Sequence, residues 1–171
     1  MADRQALPEL AFPSRWSSSV RWAECDAAGI IYHGSVFDWF SEARATWLRE
    51  HNLDYYQILR PAGIELLVRE ATASFHQALR PGDPVQLIIG MESVTAARAI
   101  FQYYVASADH AGQLAVTGKT SHAFVVSGRA CRLDRQFPEI FGQFAANSPP
   151  PKNQREWTGA GLSKQDMEEN G

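Results

Sequence analysis

The sequence predicts an α+β fold: a largely antiparallel sheet with one long helix packed against it. Three observations lead there. One strong helical stripe occupies residues 35–51. Strand-like segments follow it in succession, and the turns between them are mostly too short for anything but antiparallel neighbours. A chain of 171 residues, 45% hydrophobic and 20% charged, fits one domain and can build a core without disulfides.

Residues 1–15 read as an irregular lead-in, with prolines at 8 and 13 and little periodicity. From Trp16 to Glu24, the side chains of Trp16, Val20 and Trp22 share parity, which suits a half-buried strand. Cys25 to Gly34 is a loop with Gly29 near its middle and Gly34 at its end. In the helix beyond it, Val36, Phe40, Ala43 and Trp47 make the apolar stripe, widened by Phe37 and Leu48. Ser35 and Asp38 have the spacing of a capping box. A second short helical stretch covers Asp54–Leu59 and stops before Pro61-Ala62-Gly63. Strands are expected over Ile64–Leu79, Val85–Thr95, Ala97–Ser107 and Gln113–Ser127. The first is too long for uninterrupted alternation, so it is expected to bend or carry a bulge. RPGDP at 80–84 and Asp109-His110-Ala111-Gly112 supply turns. The domain is therefore drawn over 16–144. Residues 145–171, with a triple proline and few apolar groups besides Trp157, Leu162 and Met167, are expected to form a flexible tail or a short appendage docking through Trp157.

Composition narrows the function. A net charge of −3 and a pI near 5.9 argue against nucleic acid as the main partner, because phosphate binding wants a basic face. Only Cys25 and Cys131 are present, which is no disulfide framework and suits a reducing compartment. The N-terminus lacks an apolar signal core, and no apolar run approaches the ~20 residues of a membrane span. A cytoplasmic protein is the expectation. His33, His51, His76, His110 and His122 show no metal-ligand spacing, and no Gly-rich phosphate loop is present. Gly34-Ser35 lacks the flanks of a nucleophile elbow.

What remains is VRWAECDAAGIIYHGSVFDWFSEARATWL, residues 20–48. Asp26 is followed by Ala27-Ala28-Gly29, by Ile30-Ile31-Tyr32-His33, and within the helix by Glu42-Ala43-Arg44. This pattern resembles the signature of hotdog-fold thioesterases of the 4-hydroxybenzoyl-CoA thioesterase type, including the Tol-Pal-associated acyl-CoA thioesterases. RPGDP and the spacing from Gly90 to Ser93-Val94 fit the same family, and the resemblance spans roughly residues 16–140. It implies a hotdog fold, a long central helix wrapped by a curved, largely antiparallel five-stranded sheet. It also implies a homodimer or homotetramer with active sites at the dimer interface. The expected reaction is hydrolysis of an aromatic, 4-hydroxybenzoyl-like, or short-chain acyl-CoA. Coenzyme A is then part of the substrate, and no metal or other cofactor is expected.

Thioester hydrolysis needs a nucleophile or activated water and donors for the oxyanion. Asp26 is a turn residue on spacing alone; the resemblance implies that it attacks the carbonyl or draws a proton from water. The amides of His33 and Gly34 sit where the long helix begins, at its positive end, and are the candidate oxyanion hole. His33 either orients water through its imidazole or contributes only its amide. Gly29 allows close backbone approach to the substrate. Glu42 is the reserve carboxylate, with an ion pair to Arg44 or Arg49 as the alternative. Tyr32 and Trp39, with Phe40 and Trp47, either line an acyl pocket or belong to the core. Arg98 and Arg129, with Arg132, form a candidate phosphate patch for the coenzyme, or are solvated surface charges. Cys25 reads as apolar filler. Two other functions compete: a non-catalytic acyl-CoA-binding protein or sensor, and a hotdog acyl hydratase or dehydratase.

Overall fold

The helical stripe becomes α1 (Ser35–Glu50) in a computed structural model that describes residues 10–107 and 113–150. Its inward face carries Val36, Phe40, Ala43 and Trp47, all fully buried. The Phe40 ring stacks on Tyr103 at 4.2 Å, and Trp47 meets Phe101 edge-on at 5.2 Å. Gly118 lies under Phe40, and a Cβ there would run into the ring while lying 3.0 Å from the Thr72 carbonyl. The glycine is what lets the sheet close on the helix. Emptying the Phe40 site by substitution with alanine would cost ~3–5 kcal/mol.

Around α1 wraps a sheet of β1 (Ser14–Ser19), β2 (Ile64–Phe75), β3 (Pro84–Val94), β4 (Arg98–Ser107) and β5 (Leu114–Val126) in the order β1-β3-β4-β5-β2. All these pairs are antiparallel. This is the hotdog arrangement expected from the sequence. Register slips between Val68 and Glu70 and between Met91 and Ser93 supply the bulges that curve the sheet. The expected irregularity in the longest strand is the first of them. A short sixth strand, β6 (Arg129–Ala130), extends the five by pairing with β5. Ser127 (φ 50°) and Gly128 (φ 74°), both left-handed, make the tight hairpin between them.

Three local expectations are corrected. The first strand covers Ser14–Ser19, not Trp16–Glu24. The chain leaves the sheet at Val20, whose N–H donates to the Asp83 carbonyl, and continues as a 3-10 turn over Trp22–Glu24. Trp22 is therefore 81% exposed despite its parity with Trp16. Strand β2 stops at Phe75, short of Leu79, because the amides of His76 and Gln77 both turn to the Ala115 carbonyl. The capping box does not form either. Ser35 is already helical, Gly34 holds the cap position, and the Ser35 hydroxyl donates to the Glu24 carbonyl at 3.2 Å.

The stretch after α1 is a single π turn, Tyr55–Leu59, capped by Asp54, which accepts from the amides of Tyr56 and Gln57. Beyond β6, α2 (Leu133–Gln136) and α3 (Pro138–Ala146) close the core with Leu133, Phe141 and Phe144. No helix was expected there from the sequence; Pro138 opens α3 at its first turn, and Phe144 packs edge-on against Phe124 at 5.2 Å. Among the described residues, no helix is long and apolar enough to cross a membrane. The start of the lead-in, the turn at 109–112 and the tail from residue 151 on, with Trp157, lie outside the described residues; Ala145 and Ala146, where the tail was expected to begin, are the last residues of α3.

Candidate active site

The loop between the 3-10 turn and α1 is a closed hairpin. Cys25 bridges Ile31, the Asp26 amide donates to the Ile30 carbonyl at 3.0 Å, and the Tyr32 amide donates to the Glu24 carbonyl at 2.8 Å. Gly29 turns the chain with φ 70°, a conformation that favours glycine. The Ile31 amide donates to the Leu79 carbonyl at 2.9 Å, which pins the hairpin to the segment leaving β2. Asp26 stands exposed on this frame. Its Oδ1 accepts from the Ala28 amide at 2.9 Å, so the turn role is real. Among the described residues Oδ2 has no hydrogen-bond partner, so one carboxylate oxygen is left over.

The anchor of the loop is Glu24, which no sequence pattern singles out. It is 6% exposed. Oε1 accepts from Arg21 Nε at 3.0 Å and Nη2 at 2.7 Å and from Trp39 Nε1 at 2.9 Å, while Oε2 accepts from the Arg21 amide at 2.8 Å. Burial pushes its carboxyl pKa up, but the hydrogen bonds from Arg21 and Trp39 together outweigh burial and hold it below the ordinary value. The buried acid serves an indole and a guanidinium at once: Arg21 meets it locally within the 3-10 turn, and Trp39, 15 residues on, only once α1 packs against that turn.

At the start of α1, the amides of His33 and Gly34 donate to no acceptor among the described residues. The amides of Ser35 and Phe37 are used, Ser35 donating to the Tyr32 carbonyl and Phe37 to the Gly34 carbonyl. Two unpaired donors therefore sit at the positive end of a helix of 16 residues. The Tyr32 ring folds back over Gly34, where a Cβ would collide with it, and lies 4.3 Å from the His33 ring.

Asp26 and His33 line one cavity of about 360 Å³. Its other wall is Phe75 at the end of β2, with His76 and Gln77 just beyond the strand. These were missed because the sequence places them inside a long strand; their exit from β2 is a tertiary event. Trp39 and Glu42 do not join this cavity. They line a separate one of about 490 Å³ between β1 and α1, with Asp38, Arg21 and Glu24. Trp39 is 2% exposed and serves the core and Glu24. Glu42 makes no ion pair among the described residues. Arg44 turns to the Tyr103 and Ser41 hydroxyls and Arg49 to Thr46. Phe40 and Trp47 are core. Cys25 is partly buried against the core.

Arg98 and Arg129 are exposed and lie together at one end of the sheet, opposite Ala123 and Val126 of β5. Phe75 lies opposite Val116, at the other end. At ~3.3 Å per residue, roughly 20–30 Å of strand separates the two arginines from the Asp26 cavity of the same protomer. Arg132 is engaged with Asp134 at 2.8 Å.

The sequence model of the thioesterase-like superfamily matches residues 20–158. An acyl-CoA thioester hydrolase, YbgC, of Escherichia coli O6:H1 is 25% identical over 96 residues, 56% of this chain and 71% of the relative. A solved DHNA-CoA thioesterase from Staphylococcus aureus superposes with a TM-score of 0.71 at 25% identity, over 77% of this chain and 88% of that one. A 1,4-dihydroxy-2-naphthoyl-CoA thioesterase from Synechocystis has a TM-score of 0.66 at 20% identity, over 76% and 96%, and shares the fold.

Proposed function

The chain belongs to the thioesterase-like superfamily, and on that premise we propose that it hydrolyses an acyl-coenzyme A thioester to the free acid and coenzyme A. One observation carries the reading. Asp26, one of whose carboxylate oxygens has no partner among the described residues, stands in the same cavity as His33, whose amide, like that of Gly34, is unpaired among those residues at the start of α1. The amides take the charge that develops on the carbonyl oxygen, helped by the helix terminus. Asp26 attacks the carbonyl carbon or takes a proton from the attacking water. Its fixed hairpin and the Oδ1 bond to Ala28 hold the free oxygen in place for either route. The reaction needs no metal or redox cofactor, since carboxylate and amides supply its chemistry.

The acyl group we assign is aromatic, of the hydroxybenzoyl or naphthoyl kind, or a short chain. The names of the relatives and the apolar wall of Ile30, Ile31 and Phe75 support it. We also assign a homodimer paired along β2. This strand of 12 residues is the sheet's edge, with Leu67, Val68 and Phe75 each about half exposed. Antiparallel pairing about a two-fold axis lays the start of one β2 beside the end of the other. Arg98 and Arg129 of the partner subunit then approach the Asp26 cavity, where the coenzyme's phosphates need cations.

The test is thiol release from a panel of aromatic and aliphatic acyl-CoAs by wild type and Asp26→Asn. A loss of at least ~10²-fold with unchanged melting supports the assignment. Wild type that binds acyl-CoA but releases no thiol overturns it in favour of a binding protein. An active Asn variant removes Asp26 from the chemistry and makes Glu42 the next carboxylate to replace.

A further inference from the structure

Asp26 and the helix amides serve the carbonyl end of a thioester and leave the sulfur end unattended. We propose that His76 is the general acid that protonates the departing thiolate, an assignment that rests on the thioesterase reading above. His76 stands on the second wall of the cavity that holds Asp26 and His33. It is exposed, so a ligand can reach it.

Its placement is fixed from two sides by β5. The main-chain amide donates to the Ala115 carbonyl at 2.8 Å, and ring Nε2 lies 3.0 Å from the Thr117 hydroxyl. A short polar contact of this kind sets the rotamer and leaves Nδ1, which has no hydrogen bond among the described residues, as the working atom. The other groups lining the cavity do not compete well. Ile30, Ile31, Phe75 and Ala78 carry no proton to give, and the Gln77 amide is not an acid at neutral pH. His33 belongs to the loop wall, its ring packed on Tyr32 beside the unpaired amides. That is the carbonyl side.

The balance closes. Water adds its oxygen to the carbonyl carbon and gives one proton to Asp26. The tetrahedral intermediate re-forms its carbonyl as the C–S bond breaks, and the bonding pair goes to sulfur. Sulfur takes the proton from imidazolium His76, which becomes neutral. The products are the carboxylic acid and the thiol, and the proton on Asp26 returns through solvent to His76. If Asp26 instead attacks directly, the sulfur step is unchanged.

General-acid assistance matters most for a poor leaving group, which gives a readout that misfolding or loose packing would not produce. Purified wild type, His76→Gln, His76→Ala, Thr117→Val and His33→Gln are compared on two esters of one acyl group. One ester is of coenzyme A and the other of thiophenol, a markedly more acidic thiol. The proposal expects both His76 variants to lose about 10²-fold in kcat on the coenzyme A ester and only a few-fold on the thiophenyl ester. Thr117→Val should show a smaller loss with the same bias. An equal loss on both esters, no loss on either, or a bias that appears in His33→Gln instead, overturns it. Wild type inactive on every ester overturns the thioesterase reading itself and this assignment with it, an outcome distinct from the others.

Discussion

Replacing Glu24 by alanine tests whether one buried carboxylate holds the site loop to the long helix. The indole N–H of Trp39, a residue 2% exposed, has Glu24 Oε1 as its acceptor at 2.9 Å. Orphaning a buried donor costs ~1–3 kcal/mol. The Arg21 side chain is largely in water, so its ion pair is screened and adds little to this. A loss of ~1–3 kcal/mol corresponds to a Tm lower by roughly 2–12 °C for a chain of this size. Glu24→Gln keeps an oxygen for the indole and should lose less than half as much. Urea unfolding of wild type, Glu24→Ala, Trp39→Phe and the double variant isolates the pair. A coupling of ~1–2 kcal/mol is expected, with thiol release falling as the loop loosens. A coupling within ~0.5 kcal/mol of zero would refute the anchor and leave Glu24 as an acid that merely happens to be buried. The acid limb has a sign as well. Because hydrogen bonds hold the folded carboxyl low, this stabilisation is complete above the unfolded pKa near ~4.3 and drains away as pH falls through the folded value. Glu24→Gln should flatten that limb.

Two further outcomes are expected. His122 is fully buried, its Nε2 2.8 Å from the Thr120 hydroxyl, and burial, then the charge of Arg44, pushes its imidazole down to about 4. The unfolded chain takes up that proton near ~6.5, so stability falls as pH drops from there to about 4, by ~3 kcal/mol. Urea midpoints across that range should slope steeply in wild type and less so in His122→Asn; equal slopes would refute the link. For the edge strand, Leu67→Glu in β2 should convert a dimer to monomers by sedimentation and raise KM for acyl-CoA far more than it lowers kcat. A variant that remains dimeric, or a wild type that is monomeric, would refute pairing along β2.

Some of this was legible in one dimension. Helix α1 was readable because its stripe, Val36 to Trp47, repeats at the helical period, and that period survives whatever packs on it. The strands and their antiparallel sense were readable because RPGDP, and the single residue between Thr95 and Ala97, are too short for a crossover. The bulge in β2 was readable because a strand of 12 residues rarely alternates in a curved sheet without a slip. Asp26 stood out only within its motif; its spacing alone describes an Asx turn, which it also forms.

Tertiary structure decided the rest, because the forces involved act between residues with no fixed separation in sequence. Parity put Trp22 on the inward side of a half-buried strand, yet past Val20 the chain folds into the 3-10 turn Trp22–Glu24, closed by the Arg21 amide on the Glu24 carboxylate, and Trp22 is left exposed. Ser35 looked like a cap, but the helix takes Gly34 as its cap residue, and the Ser35 hydroxyl, already inside the first turn, donates to the Glu24 carbonyl instead. Glu42 and Trp39 share a helix with the site and still face another cavity, since helix rotation is set by what Phe40 and Trp47 bury. His76 reaches the Asp26 cavity because β5 captures its amide and ends β2 early. The sequence by itself determined the long helix and the five main strands in their order, through local period and turn chemistry, but not β6, α2 or α3. Which side chains meet was left to packing and to the need of every buried polar group for a partner.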